Sequence, residues 1–368
     1  MAIKNRKLPV KFNALFLATA AFSCSQAFAH PGAAIAGNVD AINADSHAPI
    51  GVMGDHMHKA GEWMLSYRYM EMEMDGNLNG DDSITPTEIV NTLANPFAGP
   101  ANVRVVPINM TTKMHMIGLM YAPTDNLTLM AMVNHTTKEM DHITFQGGMG
   151  TTELGRFTTK ASGIGDTKIA GLYRLFDDPT HHVHLNVGFS LPTGSIKETD
   201  DVLSPMNTRP NLRLPYPMQL GTGTFDFEPG LTYTGKRNQW AWGAQYKAMI
   251  RLSENSQDYT FGDAHQISSW ASYSYSPSIS FSARLTGKTV DEIDGQDDNI
   301  TAPVQTANPN NQGGDYVNLG FGFNSVFQEG WLRGHRIALE YSMPIMQDVN
   351  GIQLEMENML TFGYQYAF

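Results

Sequence analysis

The chain has 368 residues, a single cysteine, 34 glycines and 42% hydrophobic residues, with 24 basic against 36 acidic side chains and a formal net charge of -12. The acidic balance argues against a nucleic-acid partner, which requires a basic footprint, and one cysteine excludes a disulfide or thiolate-metal framework. No run of 18 apolar residues follows the amino-terminal segment, so no transmembrane helix is on offer.

Residues 1–29 read as a secretory signal peptide. Lys4, Arg6, Lys7 and Lys11 make a basic start, Phe12 to Phe22 is a short and mostly apolar run, and Ala27-Phe28-Ala29 is a small-x-small cleavage site. Cys24 lies inside it, so cleavage leaves a mature chain without cysteine. Residues 30–61 show no clean two-residue alternation and are expected to form a periplasmic or lumen-entering segment ahead of a barrel over residues 62–368.

From Glu62 onward the alternation predicts an all-β fold, a transmembrane antiparallel up-and-down β-barrel of about 12 strands, since lipid-facing and interior residues alternate in such a wall. The candidate strands are 62–75, 107–122, 126–141, 165–177, 182–192, 222–235, 239–254, 264–276, 278–290, 314–328, 334–343 and 352–368. Short turns and longer loops (76–106, 142–164, 193–221, 255–263, 291–313 and 344–351) alternate between them, as periplasmic turns and external loops do.

The first three strands carry an unusual inner face. With Trp63, Leu65, Tyr67 and Tyr69 outward, Met64, Arg68, Met70, Met72 and Met74 point inward; with Ile117, Leu119 and Tyr121 outward, so do Met110, Met114, Met116 and Met120; with Leu127, Leu129 and Val133 outward, so do Met130 and Met132. Three readings of this face stay open. Methionine fills irregular interiors, it forms an adaptable apolar surface for aromatic or aliphatic molecules, and its thioether is a ligand for a soft ion such as Cu(I) or Ag(I). Histidines keep the metal reading in play. Met53, His56, Met57 and His58 precede the first strand, and His182 and His184 lie on the lumen side of the fifth, so both groups are expected at the periplasmic rim, although no closed four-ligand spacing appears.

Two local signals fall in the first long loop. Asp75-Gly76-Asn77-Leu78-Asn79-Gly80-Asp81 begins like a calcium loop, but Pro86 stands where the bidentate glutamate belongs. Thr85-Pro86-Thr87-Glu88 predicts a capped short helix near 86–94. Among wall histidines His115 is the best candidate base, but no serine nucleophile is placed beside it, and no enzymatic activity is expected.

The middle of the chain resembles the outer-membrane transporter-like family associated with the meta-pathway of phenol degradation. The matching stretches are Ser162 to Phe176 (SGIGDTKIAGLYRLF), Leu185 to Gly194 (LNVGFSLPTG) and Leu220 to Tyr233 (LGTGTFDFEPGLTY). The resemblance implies a barrel that moves small organic or aromatic compounds, and it brings no catalytic residue. Later strands place charges inward, among them Lys168, Arg174, Asp226, Glu228, Lys247, Arg251, Arg284, Arg336, Glu340 and Glu355.

The tail LTFGYQYAF alternates Leu360, Phe362, Tyr364, Tyr366 and Phe368 with small or polar residues, and an aromatic last residue resembles the assembly signal of bacterial outer-membrane barrels. The expected place is therefore the bacterial outer membrane, reached by secretion through the inner membrane. Expected partners are outer-membrane lipids, the outer-membrane barrel assembly machinery and small hydrophobic or aromatic solutes. The expected function is a channel for those solutes with no cofactor. The alternatives are a barrel that binds or transports a copper or silver ion through the methionine face and rim histidines, and a structural barrel with an occluded lumen.

Overall fold

The computed structural model describes residues 43–368; the signal peptide with its cleavage site, and the start of the 30–61 segment, lie outside the described residues. Two-residue alternation builds the wall. In β1 (Trp63–Gly80) Trp63 and Leu65 are exposed while Met64 and Arg68 are buried. The other wall strands are β2 (Val105–Thr124), β3 (Leu127–Phe145), β4 (Thr167–Asp177), β5 (His181–Leu191), β6 (Asp226–Arg237), β7 (Trp240–Arg251), β8 (Ala264–Ser276), β9 (Ile279–Val290), β10 (Gly314–Val326) and β11 (Arg336–Ala367). Each pairs antiparallel with its sequence neighbour and β11 returns to β1, so the sheet is an all-β closed barrel of 11 strands, with 2 more outside the ring: Asp82–Ser83 on β1 and Glu153–Ile164 on β3. Closure leaves no edge to aggregate.

β11 supplies two walls. Arg336–Val349 pair with β10 and Val349–Ala367 with β1. Gln347 Nε2 donates to Met356 O and Met356 N donates to Gln347 Oε1, each at 3.0 Å; on a straight strand those residues would stand about 30 Å apart. The element folds back at Asn350-Gly351, where Gly351 takes a φ of 64°, a left-handed conformation that favours glycine. The predicted loop 344–351 thus shrinks to its last two residues. Counting both arms, the ring is close to the predicted twelve. Trp63 N donates to Phe368 O (2.9 Å) and Phe368 N to Trp63 O (2.8 Å), so the aromatic tail is the seam.

Strand Glu153–Ile164 falls inside the predicted loop 142–164. Its buried Phe157, Thr159 and Ala161 alternate with exposed residues, a signal present in the sequence. It runs into β4 through Gly165-Asp166, and both pieces pair with β3: Met132 faces Lys168 and His135 faces Ile164. Three steps on β3 against four on its partner make a bulge. Asp166 turns that bulge into a knot. Its Oδ1 accepts Gly194 N (2.9 Å) and its Oδ2 accepts Thr222 N (2.8 Å) and Thr222 Oγ1 (2.9 Å), while Thr193 Oγ1 donates to Gly165 O (2.8 Å). Gly194 and Gly221 touch so closely that a Cβ on Gly194 would stand 2.7 Å from Gly221 Cα. The three stretches that carry the family resemblance therefore meet at one structural joint. Asp166→Ala is expected to lower stability by about 2 kcal/mol, since hydrogen bonds to a charged acceptor are lost; a lower urea midpoint for refolded barrel checks this, and an unchanged midpoint would refute it.

At the loop end, the helix α1 (Pro86–Thr92) forms as its cap predicts. Thr85 Oγ1 accepts Glu88 N, Glu88 Oε2 accepts Thr85 N, and Pro86 takes the first helical position. Ile89 and Val90 bury against Val103, Val106, Ile143, Phe145 and Ile352, which anchors the helix to the wall. A second apolar cluster unites the long loops around Tyr216, Tyr259, Ile293, Ile300 and Val304. The calcium-like stretch does not wrap a common centre. Residues 75–80 continue β1, and the buried Asn77 instead donates to Pro107 O (2.9 Å) and accepts from Gln305 Nε2 (2.7 Å).

Candidate functional site

Inward parity and antiparallel register bring the methionines together. Between β1 and β2, Met64 faces Met120, Arg68 faces Met116, Met70 faces Met114 and Met74 faces Met110. Between β2 and β3, Met120 faces Met130, Gly118 faces Met132 and Met110 faces Met140. Met72 lies opposite Met359 of β11. Met64, Met110, Met116, Met120 and Met132 are buried, and Met70, Met72, Met74, Met114 and Met130 are half-buried.

They pack in two layers. The lower joins Met64, Met120 and Leu172 with Met57 and Met130. The upper joins Met110, Met140, Ala161, Leu214 and Met218 with Met74, Val202 and Leu220. Met140 obeys the parity of Met130 and Met132, so extending the pattern along β3 finds it; Met218 comes from a loop turn and carries no such signal. Above the upper layer lies an apolar pocket of about 50 Å³ between the loops, lined by Val105, Phe157, Leu203, Leu212, Val304 and, shared with the layer, Val202 and Leu214. Below, a cavity of about 20 Å³ is lined by Met64, Met116, Met120, Met130 and Met132 together with Ser66, Arg68, Met53, Asp55 and His56. That is room for about one water, so this conformation is closed to an aromatic ring. Arg68 Nε is buried there with no hydrogen-bond partner among the described residues.

Residues 43–61 close the lower lumen. Because they carry only a single 3-10 turn, Ala44–Ser46, most of their backbone must find partners elsewhere, and wall side chains supply them. Arg336 donates through Nη1 to Ala44 O (2.8 Å) and through Nη2 to Asn43 O (3.0 Å) and Ser46 Oγ (2.8 Å), while Lys236 Nζ pairs with Asp45 at 2.6 Å. Gln245 Nε2 donates to Met53 O (3.1 Å), His184 Nε2 bonds Gly54 O (2.9 Å), and His58 N donates to Thr128 Oγ1 (3.1 Å).

The segment folds its own histidines onto one another. His56 Nδ1 donates to Asp55 Oδ1 (2.9 Å), whose other oxygen accepts Ala48 N (2.8 Å). His58 Nδ1 lies 3.4 Å from Glu62 Oε2, and the two Nε2 atoms of His56 and His58 face each other at 3.3 Å. The His47 ring stands 3.9 Å from that of His56, and one ligand atom each of His47, Asp55 and His56 lies within 4.8 Å of the others. Burial lowers the His58 pKa to about 4, helped by His56 and opposed by Glu62. Burial pushes the Asp55 carboxyl up, but the His56 and His47 imidazoles and the Ala48 N–H outweigh it and hold the group well below the usual carboxylate range. His47, nine residues before His56, was outside the sequence-derived set.

Among the described residues, His56 and His58 make no hydrogen bond to His182 or His184, although His184 reaches Gly54 beside them. His182 hydrogen-bonds Asp177 at the turn, with its side chain 45% exposed, and His184 is committed to Gly54 O. A turn histidine has a near carboxylate, and a wall histidine facing an irregular segment has a free carbonyl to bond. His115 sits on the outer face against Tyr67 Oη (2.8 Å) and the Tyr69 ring, and among the described residues no serine hydroxyl is bonded to it.

The later strands pair off many of their charges. Lys168 Nζ lies 2.6 Å and Lys247 Nζ 3.7 Å from Glu228, Arg251 binds Asp226, and Arg284 binds Glu340.

No protein-family model matches the sequence, and no curated protein matches it. In fold, the chain is similar to an outer membrane channel from Pseudomonas putida F1, with a TM-score of 0.55 and 14% identity over 86% of this chain and 98% of that one. It is also similar to the P. putida toluene transporter TodX, at a TM-score of 0.42 and 13% identity over 85% of this chain and 91% of that one. A Pseudomonas aeruginosa FadL homologue matches at 0.39 and 11% over 83% and 89%. At 14% identity, the likeness to the first of these is one of fold.

Proposed function

We propose that the chain is an outer-membrane channel for small hydrophobic or aromatic solutes. The observation that carries this reading is the methionine-rich line down one side of the lumen, interrupted by Arg68. The loop pocket shares Val202 and Leu214 with the upper methionine layer, and the methionine rungs continue to the lower cavity. A porin for polar solutes would need water and charge along its path, whereas here many charged side chains of the later strands pair with one another, and Arg68 is a buried charge among the methionines. The outer face supports a bilayer setting: Ile117, Phe281 and Phe321 are each more than half exposed, and leaving such side chains in water forfeits their burial energy. Phe368 at the seam suits recognition by the barrel assembly machinery, after secretion by the proposed signal peptide over residues 1–29.

Transport is passive and runs down a gradient. Thioethers are polarizable and make favourable contacts with aromatic rings, so the methionine wall offers a solute many weak sites and no deep trap. The resemblance to the phenol meta-pathway family favours aromatic compounds among the hydrophobic ones. The segment 43–61 must shift for a ring to pass below Met64, since the cavity there holds about 20 Å³.

Liposomes bearing the barrel are expected to take up a small aromatic hydrocarbon faster than empty liposomes. Met110→Asp places a carboxylate in the buried upper layer opposite Met74 and Met140. It is expected to cut that uptake about tenfold, because burying an unpaired polar group is costly, while Met110→Leu keeps it. Heat-modifiable migration verifies that each variant is folded. Uptake equal to that of empty liposomes, or equal in the Asp and Leu variants, would overturn the proposal.

A further inference from the structure

We propose that His56 and His58, with His47 packed on His56, form a copper-binding site at the floor of the methionine-lined cavity. The inference does not depend on which solute the lumen passes.

The geometry of the two Nε2 atoms makes the case. Asp55 Oδ1 accepts from His56 Nδ1, and Asp55 is already occupied on its other oxygen by Ala48 N. Glu62 Oε2 stands by His58 Nδ1 and also accepts Lys59 N at 2.9 Å. In the tautomer that turns each Nδ1–H toward its carboxylate, the Nε2 lone pairs face one another across 3.3 Å; in the other, one ring donates its Nε2–H to its neighbour. Two lone pairs at that distance repel unless a proton or a cation lies between them. A cation fits, because two donors each about 2.0 Å from a tetrahedral ion stand about 3.3 Å apart. A carboxylate holding the far ring nitrogen is also the usual support of a metal-bound imidazole.

His47 stands beside this pair. His47 packs on His56, and its Nδ1 is buried with no hydrogen-bond partner among the described residues. The surroundings select copper among the metals that imidazole binds. Met53 lines the cavity beside His56, Met57 separates the two ligand histidines in the chain, and Met57 packs on Met64 and Met120. Imidazole with thioether and no thiolate suits Cu(I). The nearby carboxylates are engaged with the rings, so a hard-ion oxygen cage is not available. His182 and His184 are excluded by their own partners, Asp177 and Gly54.

The test titrates the purified full barrel with Cu(I), using bicinchoninate as competitor, and separately with Zn(II). One Cu(I) per barrel is expected, with an X-ray absorption spectrum showing nitrogen neighbours at about 2.0 Å. His56→Ala and His58→Ala should each weaken Cu(I) binding at least about 100-fold, and Asp55→Asn, acting as a positioning change, about 10- to 100-fold. His182→Ala should leave it unchanged. Heat-modifiability and tryptophan fluorescence establish that each variant is folded, and His58→Gln provides a second, less disruptive variant. Binding indifferent to His56 and His58, a sulfur-only spectrum, or tighter Zn(II) than Cu(I) binding would each overturn the assignment.

Discussion

Deleting residues 44–60 is expected to convert the barrel from closed to open, with ion conductance across a planar bilayer rising at least about tenfold, because a ring of this strand number is wider than side chains alone fill. About eight strands enclose just enough space for side chains, and about 16 leave a water channel. The ring described above lies between these limits, and the segment makes up the difference. Its removal spares every strand pairing of the wall. Arg336, Lys236, Gln245 and His184 lose Ala44, Asp45, Met53 and Gly54 as partners, but the incoming water replaces them, so the barrel should still fold. Single-channel recording of wild type and deletion decides the matter. Equal conductance would mean that the loop end closes the lumen by itself.

Glu340→Ala is expected to destabilise the barrel by about 3–5 kcal/mol, the usual cost of stranding one member of a buried ion pair. Arg284 and Glu340 are only 6% and 1% exposed, and Arg284 Nε donates to Glu340 Oε2 at 3.2 Å, with Thr286 Oγ1 taking a third guanidinium hydrogen bond at 2.6 Å. Gly51 of the inserted segment presses on this pair so closely that a Cβ there would collide with both side chains, leaving little room for water to rescue a lone guanidinium. Replacing both residues, Arg284→Met with Glu340→Met, should cost far less, since no charge is then stranded. Urea unfolding followed by tryptophan fluorescence compares the variants. A single substitution no worse than the double one would refute the argument.

Much of the wall was legible because one rule governs it. Parity set by Phe362, Tyr364 and Tyr366 carries around the ring and places Met64, Met116 and Met132 inward. The cap of α1 was legible for a local reason, since Thr85, Pro86 and Glu88 act on each other within four residues. The lower lumen was not. Residues 43–61 have no period because their backbone bonds go to Arg336, Gln245 and His184, side chains more than a hundred residues away, and nothing local announces such partners. The rim histidines illustrate the same limit: parity set the facing of His184, but not that a carbonyl of Gly54 would occupy it. His47 was missed because nine irregular residues separate it from His56, and irregular backbone carries no spacing rule. The bulge at Gly165-Asp166 lay within a recognised stretch, yet its role appears only when Gly194 and Thr222 arrive from two other loops.

The inserted segment begins and ends at the same rim. Ala44 N bonds Pro277 O in one short turn, and Gly61 N bonds Ala122 O near another. Topologically it is a pushed-in bight of chain, not a thread passed through a ring. A threaded chain is freed only by unzipping the seam or hauling a terminus through the bore. A bight needs neither, so residues 43–61 can withdraw and return while every ladder of the wall stays intact.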